Sequence, residues 1–300
     1  MLNPYPDIRP DHPLIVRERR RLRWLTQSPE RYSIKVIVRI VIIVAVLYAG
    51  WVALRWLDIS PIPLSRSFFF GVSTDFLIIL AGLSLLATVL LDYASISASL
   101  NVISGEINSG TWDLLRLTAA REGELVLAKH AVTQLRAWRT MLRVIGLRIA
   151  AVLTAVFIII REYTFATPYL TVQESITFFL FNLAPFAALS GVFILEPLWR
   201  MRAMTALGMV ISARVQDAAS ASLVAIGMVL ALWFIQALVV VAVIGGLSVL
   251  FLMLSAFGTS ALCAPFTVLL AIYPTVYGFY SVLKMWGLRH VARRLFSLTG

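Results

Sequence analysis

Three histidines, one cysteine and fifteen carboxylates are the groups best suited to metal binding and to acid–base chemistry near neutral pH in these 300 residues. His12, His130 and His290 lie far apart and make no metal-ligand spacing. Cys263 stands alone in an apolar run, which excludes an internal disulfide. No G-x-x-x-x-G-K-[ST] phosphate loop occurs, so no ATP hydrolysis is expected on this chain. No Ser/His/Asp constellation can be assembled either. Asp75 is the acid that interrupts an apolar run, beside Ser73 and Thr74. It is either an interfacial residue whose helix enters the membrane later, or a polar gate; unchanged transport in Asp75→Asn would remove the gate. Asn182 and Pro185 mark a kink rather than a substrate site. Such scarcity of acids in apolar runs speaks against an ion-coupled transporter, where intramembrane carboxylates carry the coupling.

What surrounds these few groups is greasy. Sixty per cent of the residues are hydrophobic and 14% charged, against roughly 45–50% and about 25% in soluble domains; the mean hydropathy is +0.88. A soluble enzyme, a disordered chain and a coiled coil are excluded, and an integral membrane protein is expected. The net charge of +11 would suggest nucleic acid in a soluble protein. In a membrane protein it reflects basic residues gathered on the cytoplasmic side, and no nucleic-acid partner is expected. The first apolar run starts near Val36, after a basic segment too long for the head of a cleavable signal peptide.

At about 20 residues per crossing, the apolar runs give six helical spans, at 36–56, 68–91, 141–160, 175–197, 218–242 and 264–286. Of 26 basic residues, 21 fall in four segments that should all be cytoplasmic: before span one, between spans two and three, after span four, and in the tail. Arg39 and Arg148 can snorkel to the same side. Ala218–Leu283 contains 66 residues without a charge. Both its ends are inside, so it crosses an even number of times, and the surplus at 245–263 should form a re-entrant segment. Gly245-Gly246 and Ser255–Pro265 are the expected breaks. The fold class is therefore an all-α integral protein of the cell membrane, with both termini cytoplasmic and no extracytoplasmic domain.

Two segments lie outside the membrane. Residues 1–33 read as an amphipathic interfacial helix on an anionic leaflet, capped by Asp11 or His12 with Pro13 in its first turn, followed by a fresh helix start at Ser28-Pro29-Glu30. The cytosolic loop 92–140 carries more. Gly110 breaks the chain, and Thr111 can cap a short helix over Trp112–Leu117. At about 100° per residue, Asp113 and Arg116 share a narrow polar strip. Trp112, Leu114, Leu115 and Leu117 cover the rest. So much apolar surface on so short a helix needs its own membrane domain on one side and another protein on the other. A second helix follows, with Glu122 and Glu124 at its positive end and Leu125, Ala128, Val132, Leu135 and Leu142 on one stripe. Lys129, His130, Gln134 and Arg136 fall mostly off that stripe.

At this loop the chain resembles the ABC type-2 permease family, the membrane subunits of ATP-driven exporters. Glu106, Gly110, Thr111, Leu114, Leu115, Thr118, Glu124, Leu125 and Lys129 occupy the family's places; His12-Pro13-Leu14 and Arg17-Glu18-Arg19 are similar to its opening element. Asn108 stands where an acid is usual, and Ala119 where a proline is common. The resemblance implies a transport subunit working as a dimer with an identical or homologous permease chain. Trp112–Leu117 would be a coupling helix seated in one of two separate ATPase subunits, with Asp113 on its polar strip and Glu106, Gly110 and Thr111 organising the loop beneath it. This chain would hold no cofactor; ATP and magnesium would sit on the ATPase. Asp75 would be a possible gate at the dimer axis. The alternatives are a non-transporting membrane scaffold of the same fold that binds cytosolic partners, and a lipid-acting membrane enzyme, for which no catalytic groups are found.

Overall fold

The computed structural model describes residues 12–21, 29–58, 66–110, 122–166, 184–215, 217–256 and 264–297. Among these there is no strand, and eight helices follow one another: α1 Pro13–Arg21, α2 Pro29–Asp58, α3 Arg66–Ser97, α4 Ser104–Asn108, α5 Glu122–Ala166, α6 Ala184–Arg214, α7 Ala218–Ala256 and α8 Ala264–Ser297. Four stretches of the described residues are long and apolar enough to cross a membrane: Arg31–Leu54, Gly71–Ser97, Gly123–Arg161 and Ala219–Val239. Their outer faces stay apolar. Ile42, Val46, Leu86, Leu90, Leu230 and Phe234 are all more than half exposed. In water such surface drives aggregation; in a bilayer it is solvated by acyl chains. The chain is a multi-pass, membrane-embedded helical protein.

The local signals account for several helix ends. α1 starts at Pro13, whose missing N–H costs nothing in a first turn. The His12 carbonyl closes that turn, accepting the N–H groups of Ile15 at 2.9 Å and Val16 at 3.1 Å; Asp11 lies outside the described residues. α2 starts at Pro29, where Ser28-Pro29-Glu30 predicts a start. α5 joins the second loop helix to the third span in one rod of 45 residues, about 67 Å long at 1.5 Å per residue. Its stripe of Leu125, Ala128, Val132, Leu135 and Leu142 is buried throughout.

Elsewhere the expected boundaries move. α3 continues to Ser97, past the expected end at 91. α6 runs without interruption to Arg214, so the residues following 197 are helix; 175–183 lie outside the described residues. α7 passes straight through Gly245 and Gly246 to Ala256, which corrects the break expected there. A glycine inside a helix costs about 1 kcal/mol. An unpaired backbone group in hydrocarbon costs several, so the helix continues. The remainder of the expected re-entrant segment, 257–263, lies outside the described residues.

The chain divides into two compact units. The first comprises 27–90 and 139–197 with the first two residues. Val44, Phe76, Leu80, Ala150 and Ala151 form its core, and Tyr48 is hydrogen-bonded to Ser73 at 2.8 Å. The second comprises 3–26, 91–138 and 198–300. Its axis is the C-terminal half of α6, where Met201, Ala203, Met204, Ala206 and Met209 are completely buried. One contact there depends on glycine. A Cβ at Gly208 would collide with the Ser99 hydroxyl and come within 3.0 Å of the Ile96 carbonyl oxygen. Gly208→Ala is therefore expected to lower stability by about 1–3 kcal/mol, seen as an earlier thermal melt of the purified protein. Adding Ser99→Ala should recover part of the loss. A Gly208→Ala melt equal to wild type would refute this close approach.

Candidate functional site

Around α4 the second unit builds a fixed platform. Its five residues, Ser104–Asn108, are too few to hold a helix by themselves, so outside groups do it. The backbone N–H groups of Ile103 and Ser104 both donate to Ser212 Oγ on α6 at 3.1 Å. Lys129 Nζ of α5 forms an ion pair with Glu106 Oε1. The lysine is nearly buried and the glutamate a quarter exposed. Ile103 packs with Val126, Met209, Val210 and Val291 in one apolar cluster, against which Ile107 also lies. The chain then leaves α4 through Gly110, whose φ of +68° lies in the left-handed region. Side chains with a Cβ are strained there and glycine is not.

Glu106 and Lys129, 23 residues apart, are thus brought together, and Gly110 makes the turn. Residues 111–121 lie outside the described residues, and with them Thr111, Trp112, Asp113, Leu114, Leu115 and Leu117. Asp75 is exposed on α3, half a turn from the buried Ser73. His130 is buried in the second unit. Nε2 faces the Arg202 carbonyl at 3.0 Å and Nδ1 faces Gln134 Nε2 at 2.9 Å. A neutral ring that donates through Nε2 and accepts at Nδ1 satisfies both contacts. Lys129, His130 and Gln134, expected off the apolar stripe, are all buried. Lys129 is met by Glu106 of α4, His130 by the Arg202 carbonyl of α6, and Gln134 Nε2 by His130 itself, so the buried lysine charge is paired. Among the described residues no group of three acids, histidines or cysteines could hold a metal ion.

A second arrangement is not among the sequence-based expectations. Asp92 of α3 is completely buried and Arg200 of α6 is 4% exposed. They meet as a fork: Arg200 Nε donates to Asp92 Oδ1 at 2.6 Å, and an η nitrogen to Oδ2 at 2.5 Å. Trp233 Nε1 donates to the same carboxylate at 2.9 Å, and its ring lies under the guanidinium, 4.8 Å away. The other η nitrogen reaches Gln236 Oε1 at 3.0 Å and the Tyr280 hydroxyl at 3.2 Å. Gln236 Nε2 closes the ring on Tyr280 at 2.6 Å. Four helices, α3, α6, α7 and α8, are tied at this point. Trp233 and Gln236 belong to the apolar stretch Ala219–Val239, so the charges are level with a membrane-crossing segment. Ionisable groups at such depth pair with one another and recur in working parts of membrane proteins.

The first unit holds a smaller version. Arg148 of α5 pairs with Glu196 at 2.7 Å and donates to the Phe193 carbonyl at 2.6 Å and to Thr88 Oγ1 at 3.0 Å. Its guanidinium also lies over the Phe193 ring, 4.5 Å from the centroid. The expectation that Arg148 snorkels to the membrane surface is corrected: it is 6% exposed because an acid, a carbonyl and a hydroxyl meet it inside the protein. A signal for both centres was present. Arg148 inside an expected span, and Trp233 and Gln236 in an uncharged run, each call for a polar partner at the same depth.

Comparison with known proteins finds no matching family model, no matching curated protein and no matching solved structure.

Proposed function

We propose that this chain is the permease subunit of an ATP-driven ABC exporter. It pairs with an identical or homologous permease chain to form the translocation path. Six spans cross the plasma membrane with both termini cytoplasmic, and residues 1–33 lie along the inner leaflet. Two separate ATPase subunits, which carry ATP and magnesium, grip the segment Trp112–Leu117.

The observation that most supports this reading is the platform beneath that segment. A coupling element must transmit force, so its base must be rigid. Glu106 is ionically tied to Lys129 and the preceding backbone is held by Ser212, while Gly110 redirects the chain. The apolar side chains of Trp112, Leu114, Leu115 and Leu117 then supply the docking surface. The test is direct. Trp112→Ala and Leu115→Asp should each weaken co-purification of the ATPase subunit by tenfold or more, at about 2 kcal/mol for a hot-spot residue. Stimulated ATPase activity should fall with it. Undiminished co-purification and stimulation in both variants would end the coupling assignment.

A further inference from the structure

Between α2 and α5 the first unit keeps an apolar groove that the coupling reading does not use. At Gly146 of α5 the two helices touch: a Cβ there would lie 3.0 Å from both Cβ and Cδ1 of Ile40 on α2. Beyond that contact they part, and a cavity of about 190 Å³ opens between them. Val41, Ala45 and Tyr48 line one wall, and Ala150, Leu153 and Phe157 the other. Walls running from 41 to 48 and from 150 to 157 make a groove about 10 Å long at 1.5 Å per residue, with its long axis along the helices. At the end away from Gly146, Tyr48 and Phe157 meet edge to face, with ring centroids 6.2 Å apart. The hydroxyls on the walls are already engaged. Thr154 Oγ1 donates to the Ala150 carbonyl at 2.9 Å, and the Tyr48 hydroxyl is bonded to Ser73 Oγ at 2.8 Å. A buried water needs two to four polar partners, and an apolar cavity of roughly 150 Å³ stays dry and takes up apolar molecules instead.

We infer that this groove binds one acyl chain of a membrane lipid. Both walls lie within stretches long and apolar enough to cross a membrane, Arg31–Leu54 and Gly123–Arg161. Leu153 and Phe157, which line the groove, are also half exposed, so its mouth opens onto the surface that acyl chains solvate. The occupant therefore enters sideways from the bilayer and not from water. An elongated groove parallel to the helices suits an extended chain, whereas a compact solute would leave part of its length empty. The chain leaves one hydrocarbon medium for another, so apolar transfer does not drive the binding. Packing does: a chain in the groove touches helix on two sides, where a boundary chain touches it on one. No ATPase takes part, so this binding is separable from the transport reading.

The test uses the full chain in phosphatidylcholine vesicles that contain a phosphatidylcholine with a photoactivatable diazirine at the middle of one acyl chain. After illumination, adducts are mapped by mass spectrometry. Labelling of residues 41–48 and 150–157 should exceed that of Leu230 and Phe234, which are well exposed on α7. The excess should be roughly fivefold, the occupancy gained from about ten additional carbon–carbon contacts. Ala45→Phe puts a ring into the groove from an exposed position and should bring labelling down to the α7 level. Ile43→Phe adds a ring on the other side of α2, where Ile43 is half exposed, and should leave the excess unchanged. Should Ala45→Phe not fold, as read by helicity and monodispersity, Ala45→Leu should reduce the excess by roughly half, since its smaller side chain fills less of the groove. Even labelling of α7 and the groove in the wild-type chain, or an excess that survives the filling variants, would overturn the site. So would a disulfide-linked dimer of Ala45→Cys/Cys263→Ser in the same vesicles, because a second copy would then fill the groove.

Discussion

Asp92→Asn is expected to cost the folded protein about 3–5 kcal/mol, the range for removing one partner of a buried ion pair. The substitution keeps the shape and removes the charge. Arg200 then sits at 4% exposure facing an amide, and Trp233 Nε1 loses its carboxylate acceptor. Arg200→Met should cost about as much by the opposite route, since it strands a carboxylate that has no exposed surface at all. The informative variant is the double, Asp92→Leu/Arg200→Met. With both charges gone, the desolvation cost of each disappears, and apolar side chains of similar volume can restore most of the stability. Thermal melts of the four proteins in one detergent give the comparison. An Asp92→Asn melt indistinguishable from wild type would show that the pair is not closed as described. A double variant that is stable yet no longer supports stimulated ATPase activity would mean that the charges serve movement between helices rather than folding.

That pair also shows where reading the sequence stops. The stripe from Leu125 to Leu142 was legible because helical spacing is local, and every position on it is buried. The greasy composition was legible because it is a property of the whole chain, and the membrane-embedded helices follow from it. The polar interior was not. Asp92 and Arg200 are 108 residues apart, and His130 finds its carbonyl 72 residues away. No spacing rule links such positions; only the packing of α3, α5 and α6 does. Asp92 stands one residue beyond the span end expected at 91, where nothing local marks it as buried. The glycine pair at 245–246 misled for the opposite reason. Its local weakness is real, but hydrogen bonding in an apolar medium outweighs it. Of the proposed coupling site, Glu106, Gly110 and Lys129 fall on described residues, and there the ion pair and the left-handed turn are visible.

If the proposed coupling function holds, Lys129→Ala should uncouple the protein while leaving it folded. Glu106 is a quarter exposed, so water screens its carboxylate once Lys129 is gone, and the stability loss should be only about 1–2 kcal/mol. The functional loss should be larger. Without the ion pair, α4 keeps the Ser212 contacts at its start but loses the tie at its centre. A push delivered through residues 111–117 would then bend the loop instead of moving α5. ATPase subunits should still co-purify, because the apolar docking surface is untouched, but stimulated activity should fall about tenfold, equivalent to about 1.4 kcal/mol of lost coupling. Glu106→Ala should behave in the same way, and the two together should cost no more than either alone, as expected for residues acting as one unit. Exchanging the charges, Glu106→Lys with Lys129→Glu, should restore part of the activity, since the attraction survives reversal. If each single variant keeps full stimulation, the ion pair is only a fixture of the fold. If the ATPase no longer co-purifies, the pair shapes the docking surface itself. Co-purification with lost stimulation is the outcome peculiar to a rigid lever, and the exchange variant separates charge pairing from a specific need for lysine at 129.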